Sequence, residues 1–118
     1  MSGTNRPDLA TDAHLQHVAL RRRLGDTARL AAALNNLGNA LIDVGEVEAA
    51  HRALDEAAEA FTEVGDSAGL ALVHCTLGYG YFVDGRYAAA LAAFQSALVN
   101  GRAADNAMAI AVAMAGVG

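Results

Sequence analysis

Two histidines in the first part of the sequence, His14 and His17, have a spacing that metal ligands can use. They are three residues apart, so on a helix they share one face, and Asp12 is close to them. Zinc in proteins takes three or four such ligands. No other histidine is placed in the sequence to complete the set, so we predict no metal site.

His74 and Cys75 are the residue types that form a base and a nucleophile. On a helix, however, adjacent side chains point about 100° apart, so they are not a ready catalytic pair. The sequence contains no glycine-rich phosphate loop and no nucleophile elbow. A single cysteine excludes an intrachain disulfide and is typical of a reducing compartment. We therefore predict no catalytic residues, no cofactor and a cytoplasmic protein that is not an enzyme.

The chain is acidic, with a formal net charge of −5 over 118 residues. Most of this charge lies in the segment 46–63, which we interpret as a solvated helix face. The one basic cluster, Arg21 to Arg23, is explained by a helix C-terminus, whose dipole favours positive charge. An acidic chain does not suit nucleic acid, and no apolar run reaches membrane-spanning length. We predict neither kind of partner.

A repeat organises the sequence. "LNNLGNALIDVG" at 34–45 and "HCTLGYGYFVDG" at 74–85 share a leucine–glycine pair and a terminal glycine at an offset of 40 residues. Residues 107–118 resemble the start of a further copy. Glycine inside a helix costs about 1 kcal/mol relative to alanine. Gly38 and Gly78 therefore indicate that the backbone of a neighbouring helix comes too close for a side chain.

Each repeat is predicted to contain two helices. Asp26 and Asp66 stand where N-cap residues belong, and each first helix ends at the terminal glycine of the repeat frame. The second helices are predicted from about 47 to 64 and from about 87 to 103, because apolar residues recur there at spacings of three and four.

The repeat resembles the tetratricopeptide repeat in its frame, L-x-x-L-G-x-x-L/Y-x-x-x-G-x-x-x-x-A-x-x-x-L/F-x-x-A. Its period of 40 residues and its "-GD-" junction resemble a variant of that family found in spindle-orientation adaptors and large bacterial regulators. The resemblance implies an all-α, right-handed α-solenoid of antiparallel helix pairs, with two full repeats and partial flanking repeats. We expect one domain over 8–118, or a fragment of a longer solenoid, after a disordered segment 1–7. His74 departs from the large apolar residue that the family prefers.

The resemblance also implies that a peptide or partner protein binds in a concave groove lined by the first helices. Asparagine offers both a donor and an acceptor to an extended backbone, although these positions could equally be only solvated. Tyr79 and Phe82 would hold an apolar anchor or, alternatively, pack into the next helix. The predicted groove residues are Asn35, Asn39, Ile42, Asp43, Leu72, Cys75, Tyr79 and Phe82.

Two further hypotheses remain open. No residue of the segment 107–118 is charged or polar, and a helix that is apolar on every side must be covered. We therefore predict a homodimer, and the chain could be a self-association or regulatory segment of a larger bacterial signalling or transcription-regulator protein. A small-molecule sensor is the third hypothesis. The predicted self-association residues are Met108, Ile110, Met114 and Val117.

Overall fold

The computed structural model describes residues 6–103, with side chains described from residue 11 onwards. This part of the chain contains five α-helices and no strand: α1 (Arg6–Leu24), α2 (Thr27–Asp43), α3 (Val47–Val64), α4 (Ser67–Val83) and α5 (Tyr87–Ala103). The all-α helical repeat that the sequence predicts is confirmed, and α3 and α5 have the predicted bounds. The first helix begins at Arg6, two residues before the predicted start of the domain. Disorder in the first residues stays a prediction, since 1–5 lie outside the described range.

The first helix of each repeat begins at an aspartate, as predicted. The Asp26 carboxylate accepts a hydrogen bond from the backbone N–H of Arg29 at 3.1 Å, and that of Asp66 accepts one from the N–H of Gly69 at 2.9 Å. Each carboxylate satisfies an N–H group that has no partner inside its helix, and such a cap contributes about 1 kcal/mol.

Glycines in the left-handed conformation end the same two helices. Gly45 has φ +87° and Gly85 has φ +81°. Beyond the first, the N–H of Glu46 donates to the carbonyl oxygen of Leu41 at 2.8 Å, and the equivalent bond in the second repeat has the same length. A side chain is strained at such a φ, so glycine is the residue that ends the helix here.

The helices form two layers. Consecutive helices pack against each other, and α2 also contacts α4. The first helices of the two repeats, α2 and α4, are therefore neighbours in one layer, while α1, α3 and α5 form the other. The core between the layers is mostly alanine, with Leu54 and Val73 as its largest fully buried side chains. Alanine lets the helices approach closely.

A large side chain from the second helix of the same repeat packs against each of the glycines Gly38 and Gly78. A Cβ placed on Gly38 would lie 2.6 Å from Cγ and Cδ2 of Leu54, and one placed on Gly78 would lie 2.6 Å from Cε1 of Phe94. The prediction of a close neighbour is confirmed. Its identity is corrected, because the neighbour is a large side chain and not a helix backbone.

Candidate protein-binding surface

Adjacent faces of α2 and α4 carry the exposed residues of the predicted groove. We call this surface the groove face and define it by Asn39, Asp43, Leu72, Tyr79 and Phe82, all of which are exposed. It joins the two repeats, because the Tyr79 hydroxyl of α4 donates a hydrogen bond to Oδ1 of Asp43 on α2 at 3.3 Å. The groove face is therefore a polar pair flanked by apolar side chains.

Asp43 also sets the protonation of Tyr79. The negative charge of the Asp43 carboxylate raises the pKa of the Tyr79 hydroxyl, and burial and the hydrogen bond raise this pKa further. An unshifted tyrosine is already protonated at neutral pH, so the raised pKa extends to higher pH the range in which the phenol donates to Asp43.

Three predicted groove residues are buried, which corrects the predicted lining at these positions. Ile42 is at the contact of the two first helices, where its Cδ1 would lie only 3.0 Å from a Cβ on Gly80. Cys75 is buried against Ala97 of α5, and Asn35 is only 6% exposed. Ile42 and Cys75 fill contacts between helices, and none of the three side chains adds exposed area to the groove face.

Asn35 has one unusual feature as a buried residue. Its side-chain oxygen Oδ1 is buried and has no hydrogen-bond partner in the described part of the chain. Nearly all buried polar atoms in proteins have a partner, and an unpaired acceptor costs about 1–3 kcal/mol. Asn39, one helical turn further along α2, is exposed. Of these two carboxamides, only that of Asn39 is accessible to a partner.

The apolar part of the groove face is open. Phe82 is 58% exposed, and Leu72 and Val83 are about half exposed as well. The Phe82 ring contacts the Tyr87 ring at a centroid distance of 5.5 Å. Among the described helices, none covers Phe82 or Tyr79 fully. Both predictions for these rings, an apolar anchor site and packing into the next helix, stay predictions, because the predicted further copy at 107–118 lies outside the described residues.

The charged face of α3 points to solvent, as predicted from its composition. Glu48, Asp55 and Glu59 are exposed. Glu56 differs, because Arg22 of α1 reaches it with Nη1 at 2.6 Å from Oε2 and Nη2 at 3.3 Å from Oε1. Sequence analysis missed this pair, which joins residues 34 positions apart and leaves no local signal.

Histidine and cysteine form no site in the described structure. The Nε2 atom of His17 accepts a hydrogen bond from Nε of Arg21 at 3.2 Å. No three of the histidine, cysteine, aspartate and glutamate side chains described here lie close enough together to hold a metal ion. Burial raises the pKa of the Cys75 thiol, which keeps it protonated and poorly nucleophilic, and burial lowers the pKa of His74. The absence of metal, cofactor and catalytic sites in the whole chain stays a prediction.

A depression of about 510 Å³ lies between the turn after α2 and the turn after α4. Its rim carries Glu46, His51, Asp84 and Arg86, and the last two form an ion pair at 3.1 Å. Small-molecule sites are usually enclosed and mostly apolar. This open, charged depression gives no support to the small-molecule hypothesis.

The predicted self-association residues, Met108, Ile110, Met114 and Val117, lie outside the described residues. Within residues 6–103, no helix is both long enough and apolar enough to cross a membrane.

Comparison with known proteins agrees with the repeat. A family model described as Tetratricopeptide repeat matches residues 29–100, which is more than half of the chain. None of the curated proteins compared with the chain matches its sequence significantly. Repeats of this family generally mediate protein–protein interaction, and the family is typically not enzymatic. The chain belongs to the tetratricopeptide repeat family.

Proposed function

We propose that the chain binds a peptide or an extended segment of a partner protein along the groove face. The observation that carries this proposal is the bond between Tyr79 and Asp43, which joins the two first helices beside the exposed Leu72 and Phe82. A fixed polar pair next to open apolar side chains suits a partner that brings both backbone hydrogen bonds and an apolar anchor.

The chemistry of the groove face restricts the partner. Asn39 is exposed and offers a donor and an acceptor to a peptide backbone. Asp43 is acidic, and none of the five defining residues is cationic. An acidic segment would therefore be disfavoured, and we expect a neutral or basic segment with an apolar or aromatic residue for the Phe82 side of the surface.

Affinity capture from the native cell, with the folded chain as bait, tests the proposal. Asn39→Ala and Tyr79→Ala should each weaken capture of the bound partner, and Tyr79→Ala should weaken it about tenfold or more, since aromatic anchors dominate interfaces. Both residues are exposed, so the melting temperature should change little.

Glu59→Ala is the matched control, because Glu59 is also exposed but lies on the outward face of α3, in the other layer of helices. It should leave capture unchanged. If Glu59→Ala abolishes capture while Tyr79→Ala does not, the binding surface is on α3 and the proposal is wrong.

A further inference from the structure

The outward faces of the two second helices differ in a systematic way. Forty residues separate equivalent positions in α3 and α5. At six equivalent positions both helices are exposed, and at five of them a charged residue of α3 corresponds to an uncharged residue of α5. The exception is Thr62, which corresponds to Arg102, and the fifth pair, Glu63 and Ala103, is at the helix ends.

The other four pairs form one stripe on each helix. The α3 residues are Glu48, Arg52, Asp55 and Glu59, and the α5 residues, which we call the α5 seam, are Ala88, Ala92, Gln95 and Val99.

Further stacking of helices does not explain an uncharged α5 seam. In the first repeat, α3 has both of its neighbours, α2 and α4, and its four outward positions remain exposed. If a further helix packed against α5 in the way that α4 packs against α3, the α5 seam would stay equally exposed. Its lack of charge therefore points to a contact outside the solenoid.

Large apolar side chains of α5 are exposed. Val99 of the α5 seam is 66% exposed, and elsewhere on the helix Leu91 and Tyr87 are 42% and 64% exposed. The one charged residue of α5 is Arg102. A surface helix normally has a charged face. Gln95 is polar, but no residue of the α5 seam is charged, and no element in the described structure covers the seam.

The α5 seam is one continuous stripe along the helix. Steps of four, three and four residues separate its members, an average of about 3.7 that is close to the 3.6 residues of one helical turn. All four side chains therefore lie on one side of α5, and the small residues among them allow another helix to approach closely.

We propose that the α5 seam binds a second copy of the chain, with the two α5 helices antiparallel about a two-fold axis between residues 92 and 95. This register places Ala88 opposite Val99 and Ala92 opposite Gln95, so a small residue meets a larger one in every seam contact. A parallel pair would instead place each residue opposite itself.

Charge also favours a second copy in this orientation. The chain carries a net charge of −5, yet the α5 seam is uncharged, so two copies meet there without like-charge repulsion.

The antiparallel register also brings Arg102 of one copy to the turn that holds Asp84 of the other. Asp84 pairs with Arg86 of its own chain at 3.1 Å and retains capacity for a second donor. A two-fold contact closes after two copies and leaves no seam free.

Ala88→Glu with Val99→Glu tests the proposal by light scattering at micromolar concentration. The wild-type chain should have twice the monomer mass of 12.1 kDa. In the double variant, glutamate faces glutamate at both ends of the interface, and the dimerisation constant should weaken roughly a hundredfold or more. The equivalent α3 positions already carry Glu48 and Glu59, so the helix should fold, which circular dichroism checks.

Ala88→Glu with Val99→Arg is the matched control. In the antiparallel register it places glutamate opposite arginine, so dimerisation should recover by at least about tenfold relative to the double glutamate variant. As an independent check, mixed chains carrying Ala88→Cys or Val99→Cys should form a disulfide dimer. Neither chain alone should do so, because the two copies of residue 88 lie about 16 Å apart along the helix axis.

Three results would overturn the proposal. One is a wild-type chain that stays monomeric. A second is a folded double glutamate variant that stays dimeric, which would move the interface elsewhere, for example to 107–118. A third is cross-linking of the Ala88→Cys chain with itself, which indicates parallel helices. The proposal is independent of the groove, so Tyr79→Ala should leave dimerisation unchanged.

Discussion

Gly38→Ala tests the packing of the first repeat in a way that separates two opposing effects. The added Cβ would lie 2.6 Å from Cγ and Cδ2 of Leu54, well inside the usual contact distance of about 3.5–4 Å. Leu54 is 0% exposed, and Cγ is the branch point of its side chain. The leucine therefore has no open space to move into, and the helices must shift.

The two effects can be weighed. Alanine within a helix is favoured over glycine by about 1 kcal/mol. Overpacking of a filled core costs about 1–3 kcal/mol, and a contact this short belongs at the upper end. We expect a net loss of about 2 kcal/mol in the free energy of unfolding, which lowers the melting temperature by on the order of 10 °C.

Urea denaturation followed by circular dichroism gives the measurement, and a double variant identifies the cause. Leu54→Ala alone should cost about 2–5 kcal/mol. Combined with Gly38→Ala, the total loss should be smaller than the sum by about 3 kcal/mol, because the overpacking cost disappears when the new methyl group enters the space that leucine leaves.

Gly45→Ala is the control for this cycle. Gly45 has φ +87°, and an added Cβ would have no atom within 4 Å. The Gly45→Ala variant should therefore lose stability through backbone strain alone. That loss should add to the loss from Leu54→Ala without coupling. If Gly38→Ala instead stabilises the protein, or shows no coupling to Leu54→Ala, the packing of α2 against α3 described above is wrong.

Two further predictions concern charge. Burial lowers the pKa of His74, so the fold favours its neutral form, and the free energy of unfolding should fall as pH drops below the ordinary histidine pKa of about 6.5. His74→Leu should remove this part of the pH dependence in urea denaturation between pH 5 and 7.5, and an unchanged slope would contradict the assignment. Arg22→Ala should cost less than about 1 kcal/mol, and less still in high salt, because Arg22 and Glu56 are 54% and 40% exposed in their side chains. A loss much larger than this, measured by the same method, would show that the pair locks α1 to α3.

The helices could be predicted because their signals are local. Asp26, Asp66 and the terminal glycines act on backbone groups within a few residues, and the 40-residue offset shows each signal twice. The neighbour of Gly38 was harder to predict. The sequence shows that a glycine is needed there, but whether a backbone or the Leu54 side chain takes the space depends on how two helices cross.

The surface was predicted only in part, because burial depends on contacts between helices. Ile42 has the sequence position of a groove residue, yet the approach of Gly80 on α4 encloses it. Cys75 is enclosed in the same way by α5. The Arg22–Glu56 pair likewise needs the relative placement of α1 and α3. The uncharged α5 seam is present in the sequence, but it becomes evident only once the outward face of α3 is known.

Site-specific photocrosslinking in the native cell tests the role of the groove face most directly. A photoreactive residue replaces Asn39 on the groove face or Asp55 on the outward face of α3, both of which are exposed. If a partner lies along α2 and α4, the Asn39 position should give a cross-linked adduct of defined mass, and this adduct should disappear when Tyr79→Ala is added. Adducts from the Asp55 position, with none from the Asn39 position, would contradict binding at the groove face.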